Sequence, residues 1–372
     1  MKRFVIVLLV LLMLPLTALG AEEEYEKQLE SYDFSFFEDT LGNEVYSMLE
    51  ELGINEFDYE KLYSLSLSDI LRLLGTILKN SIKAPAEGIV TVLIFIILSS
   101  FFQSIKSDRS DMNEVYSTVS ALVISALLVV KLSKCISLAG ASIGIASNFI
   151  YAFVPVFGAL VAASGGITAS FSTNALLLAL SQGLSFIQSN FFFPLINCFL
   201  AIGICSGIKA ELNLHRLIDT FKRIITGALS VTSGIFISVL SLKTSVSARA
   251  DMLGIRGARF VISSVVPVVG NAISEGLISI QSYSALIKSS VGIVGIIAVA
   301  LVFAPSVILV AVWRGVITLS LLAADVFDDK SVRLTLKAFS DALLLINVVL
   351  VISMLTTVIS IGILVAADTG GA

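Results

Sequence analysis

Side chains that ligate metals or carry redox chemistry are scarce here: 372 residues contain one histidine, His215, and three cysteines, Cys135, Cys198 and Cys205. All three cysteines fall in apolar runs and no His/Cys/Asp grouping has ligand spacing, so neither a disulfide framework nor a metal centre is expected. Also missing are a phosphate-binding loop, a strand-linked GxGxxG and a GxSxG elbow. No nucleophile and base can be paired at membrane depth, so an enzyme is not expected. Neither a cofactor nor a nucleic-acid partner is expected. Charge is the next scarcity, at 14% of residues, against 56% apolar residues and a mean hydropathy of +0.98. A soluble core of this size needs more polar surface, so the composition reads as an all-α, polytopic membrane protein.

What is present begins with Lys2 and Arg3 ahead of an apolar run to Leu14, and then small residues at Ala18 and Gly20. That pattern is a signal peptide over 1–21, cleaved near Ala21, with the mature N-terminus outside the cytoplasm. Residues 22–83 differ sharply: 15 acidic side chains face five basic ones. A segment so poor in bases is easily translocated, and the net charge of −4 conceals a basic membrane part. Within it Val45, Met48, Leu49 and Leu52 have helical spacing, as do Ile70, Leu71, Leu74, Ile77 and Leu78 after a cap at Ser66 to Asp69. These are amphipathic helices of a small exported domain. Their apolar faces rest on each other, on the membrane domain or on another protein.

The polytopic domain, 84–366, is followed by a short tail, 367–372. It carries a repeated heptapeptide: Ala152 to Gly158 (AFVPVFG) returns 112 residues later as Ser264 to Gly270 (SVVPVVG). The same shift aligns Lys131 with Lys243, and a shift one residue shorter aligns Pro194 with Pro305, giving units of about 114–208 and 225–316 in a parallel internal repeat. Pro155 with Gly158 and Pro267 with Gly270 are the candidate bending or packing points, because proline frees a backbone carbonyl and glycine admits a neighbouring helix.

Apolar runs predict seven to nine membrane segments: 88–105, 116–132, 149–163, 173–189, 191–208, 225–242, 261–280, 291–313 and 342–365. Lys106 and Arg109 look cytoplasmic, and so do Lys209, Arg216, Lys222 and Arg223. A further cluster, Lys243, Arg249, Arg256 and Arg259, looks cytoplasmic too, although only the run 225–242 separates it from the previous one. Either that run is re-entrant or one cluster faces out. Trp313 beside Arg314 reads as a helix-end residue, and Asp341 pairs most simply with Lys337 one turn away.

Polar signals inside the apolar part are few. Gly140 to Gly144 and Gly203 to Gly207 are GxxxG patterns that permit close helix packing. Asn271, Glu275 and Ser279 share a helix face after the second Pro-Gly pair. Glu275 either lines an aqueous path, with Lys288 as partner, or sits solvated at the interface.

Two passages carry a family likeness: LAGASIGIASNFIYAFVPVFGALVAASGGITAS, and SVSARADMLGIRGARFVISSVVPVVGNAISEGL with its basic Arg249, Arg256 and Arg259 ahead of Pro267. With the signal peptide and acidic exported helices, the chain resembles the stage III sporulation protein AE family, most strongly over about 135–315. The resemblance implies a non-enzymatic multipass subunit of a channel-like or secretion-like complex joining mother cell and forespore, needed for late forespore development. It also implies partners among the other membrane proteins of the same operon, in the lipid bilayer, and an oligomer is one arrangement it leaves open. No catalytic residues carry over. Two other readings stay open: a secondary transporter or permease with its substrate path at the Pro-broken helices, and a structural membrane scaffold.

Overall fold

The computed structural model describes residues 35–54, 66–104, 110–163, 167–208, 214, 216–239, 270–327 and 329–366. All the regular structure there is helical: α1 Phe36–Glu51, α2 Leu67–Ser104, α3 Ser110–Ala163, α4 Ile167–Ile187, a π-turn Gln188–Phe192, α5 Phe193–Ile208, α6 Arg216–Val239, α7 Gly270–Val326 and α8 Lys330–Ala366. Among the described residues six helical stretches are long and apolar enough to cross a membrane. This all-α, multi-pass architecture agrees with the composition. Among the described residues the runs 116–132 and 149–163 merge into α3, and 173–189 and 191–208 into one helical stretch across the π-turn, while the run 261–280 begins outside them.

The mergers have a physical cause. Lys131 and Lys134 interrupt the hydropathy of α3, but both lie exposed, so the backbone ladder continues beneath them. Pro155 also sits on the exposed side of α3 and does not end it, while Phe153, Phe157 and Gly158 from the same heptapeptide are buried. Pro267 lies outside the described residues. Pro194 and Pro305 occupy different settings, one just after the π-turn and the other inside the uninterrupted α7.

The core is formed by α3, α7 and α8, with α5 against α8 and α2 against α7. Phe149, Phe153 and Phe157 stack at four-residue spacing along α3, with ring centroids 5.3 and 5.0 Å apart. Opposite them α7 offers Gly295, where an added Cβ would stand 2.8 Å from the Phe153 ring, and Gly292, where it would meet Val365 of α8. Of the two GxxxG patterns, Gly203 and Gly207 let α5 close onto Ala338 and Thr335 of α8, whereas Gly144 has nothing near it.

Trp313 corrects the expectation of a helix-end residue. It lies in the interior of α7, 4% exposed, with its ring against Gly88 of α2 at 2.6 Å from where a Cβ would be. Lys131, Trp313 and Phe339 border one small cavity, so Lys131, Arg314 and Lys337 fall near one height along the bundle. Asp341 belongs to the same zone, and it pairs with Lys222 of α6 at 2.7 Å rather than with Lys337. That contact ties α6 to α8. A neighbour in sequence lost to one that the fold supplies.

The first amphipathic helix docks on the bundle. Phe37, Leu41, Val45 and Leu49 of α1 are buried, and Phe37 meets the Phe149 ring edge-on at 5.1 Å. Gly42, at φ 76° and ψ 157°, bends α1 in a region of backbone space that L side chains avoid. Gly53 ends the helix at positive φ, with Gly53 N–H donating to Glu50 and Ile54 N–H to Leu49, the paired bonds of a Schellman close. In α2 the Ser66 hydroxyl accepts the Ser68 N–H, placing the cap where it was expected. The buried face of α2 is set by Leu73 and Ile77, while Ile70, Leu71 and Leu78 are exposed. The helix then runs unbroken through Pro85 into the first apolar span.

Candidate functional site

Pro194 explains the irregularity between α4 and α5. It has no N–H for the carbonyl four residues back and its ring crowds that turn, so the chain widens into a π-turn. Phe193 N–H reaches Gln188 carbonyl, five residues back, and the Asn190 amide donates to Phe186 carbonyl at 3.0 Å. The widened turn directs Gln188, 1% exposed, to a cavity among α3, α4, α6, α7 and α8.

That cavity has a volume of about 20 Å³. Its polar wall is Ser147 of α3, Ser181 and Ser185 of α4, Gln188, and Ser353 and Thr357 of α8, and Phe236 and Phe303 are among the apolar lining. No charged side chain lines it. Ser353 and Thr357 donate back to carbonyls of their own helix, at 2.6 and 2.8 Å. Two atoms stand apart from this economy: Gln188 Nε2 and Ser147 Oγ are buried with no hydrogen-bond partner among the described residues. Each such group costs about 1–3 kcal/mol if nothing satisfies it.

A second polar centre lies at the turn between α7 and α8. Asp329, 3% exposed, caps α8 by accepting the Val332 N–H at 3.2 Å. The same carboxylate accepts hydrogen bonds from Ser99 of α2 at 2.8 Å and Ser117 of α3 at 2.7 Å. Three helices, α2, α3 and α8, are thus tied at one point. A third cross-link joins buried Ser142 of α3 to Ser306 of α7 at 2.8 Å.

The sequence-based candidates are distributed unevenly around these centres. Pro155 faces outward and Gly158 lies in the core of α3. Gly270, Asn271 and Glu275 begin α7, where the backbone alone is described. Arg249, Arg256, Arg259 and Pro267 lie outside the described residues. Gln188 and Asp329 were not singled out from sequence. Gln188 had a weak signal, a polar Gln-Ser-Asn run just ahead of proline in an apolar stretch, and Asp329 had a stronger one, an acid directly before a helix.

Long apolar helices locked by glycine contacts around a few polar groups define a multi-pass helical membrane protein. The family profile of stage III sporulation protein AE matches residues 54–368, and the chain belongs to that family. It is similar to stage III sporulation protein AE of Bacillus subtilis (strain 168), 26% identical over 235 residues, which is 63% of this chain. The match spans 59% of that relative's length. No solved structure matches the chain.

Proposed function

We propose that this chain is a non-enzymatic subunit of a channel-like or secretion-like membrane complex between mother cell and forespore. In this reading the N-terminal signal is removed, α1 lies outside the cytoplasm, and the partners are other membrane proteins of the same sporulation stage. Family membership supports the setting. The observation that carries the partner-dependent role is the division of labour in α1. Its apolar face is used within the chain, against α3 and α7, while Asp39, Glu44, Glu50 and Glu51 are exposed on the other side. An acidic, rigidly mounted face suits a basic protein partner.

Reversing Glu44, Glu50 and Glu51 to lysine leaves the buried face intact and tests the docking role. Loss of co-purifying sporulation membrane proteins, with sporulation arrested, is the expected result. Normal sporulation by the triple variant would overturn it. The neutral cavity beside Gln188 favours a second reading, a transporter acting alone. Solute flux through vesicles containing only the purified chain separates the two, since a partner-dependent subunit gives none.

A further inference from the structure

We propose that the cavity beside the π-turn is a hydration site, where water bridges Gln188 and Ser147 inside the apolar bundle. Three independent features converge on it. Its volume, about 20 Å³, exceeds the roughly 10–15 Å³ that one water requires. The two unpartnered polar atoms of its wall, Gln188 Nε2 and Ser147 Oγ, belong to different helical elements, and one water joins them where no direct bond exists. The irregular backbone supplies the third feature, since π-turns bring a residue inward that a regular α-helix would place elsewhere.

The lining also selects the ligand's charge. A cation would find no carboxylate in the wall to offset its loss of hydration. An anion would find no cationic side chain in the wall to offset its loss of hydration. A neutral ligand that both donates and accepts fits both groups, and water is the one of this size. Ser181 and Ser185, four residues apart on α4 and half-buried, extend the polar wall along that helix, so every group that holds the water belongs to this chain. The site therefore does not depend on the partner complex, and it holds whether the chain acts in a complex or alone.

Radiolysis reports an enclosed water directly, because hydroxyl radical forms from the bound water itself and oxidises a thiol beside it, so no reagent has to enter the cavity. The full chain, with Cys135, Cys198 and Cys205 replaced by alanine, is placed in lipid vesicles and exposed to short X-ray pulses, and the rate of oxidation at each introduced cysteine is read by mass spectrometry. Ser147→Cys and Ser185→Cys are expected to react at least about tenfold faster than Val154→Cys, a fully buried position on α3. Adding Gln188→Leu should bring the Ser147→Cys rate down to the Val154→Cys rate, and Gln188→Asn should restore part of it. Rates at both serine positions equal to that of Val154→Cys would overturn the proposal. So would a Ser147→Cys rate unchanged by Gln188→Leu. If Ser147→Cys does not fold, Ser185→Cys with and without Gln188→Leu decides the matter.

Discussion

Glycine positions carry the sharpest consequences of single residues. At Gly207 any side chain collides with Thr335, and at Gly203 with Ala338, so α5 and α8 approach only because both positions lack a Cβ. Gly207→Val should cost at least about 1–3 kcal/mol by overpacking, read as a lower thermal midpoint in detergent. Gly144→Ala meets open space and should leave that midpoint unchanged or raise it slightly, since alanine favours helix by up to about 1 kcal/mol. Both GxxxG patterns were legible in the sequence, yet only one is used in this way. The deciding information sits elsewhere in the chain, in the small residues Ala338 and Thr335 that the fold brings opposite. Trp313 shows the same limit: beside Arg314 it reads as a boundary residue, but Gly88 supplies the notch that buries its ring.

Single elements are governed by their ends more than by their apolar runs. The last helix begins at Asp329, whose carboxylate serves the Val332 N–H and two serine hydroxyls together. Asp329→Ala removes the cap and strands Ser99 and Ser117, for an expected loss of about 2–3 kcal/mol. Faster amide exchange in the first turn of α8, with a smaller change in Asp329→Asn, is the measurement that checks it. Element type was plain from composition and periodicity, and so was the position of the Ser66 cap. Element length was not. Lys131 and Lys134 divide an apolar run on paper, but an exposed lysine stem costs a helix nothing in backbone hydrogen bonds, so 110–163 is one element. Pro155 does not end α3 either, because its missing N–H takes one bond out of a ladder that continues on both sides.

For the molecule as a whole, the N-terminal helix is part of the bundle. Phe37 sits at 4% exposure against Phe149, and Phe37→Ala should cost about 3 kcal/mol and expose the aromatic ladder to an apolar dye. The apolar stripe of α1 announced a buried face, but its partner was not readable, because complementarity to Phe149 and Phe153 exists only once α3 is folded. A second molecular expectation concerns the charged zone shared by α3, α7 and α8. Cysteines placed at Lys131 and Lys134, exposed on α3, should react with a water-soluble thiol reagent in permeabilised vesicles, and silence at both would put that zone in lipid. The 54 residues of α3 extend about 80 Å along its axis, against a hydrocarbon layer of about 30 Å. Most of such a rod must stand clear of the layer that anchors it. Ser117 near one end, held by Asp329, and Phe153 near the other, set against Gly295, stay that rod at both ends, so it stands like a mast and carries its neighbours with it.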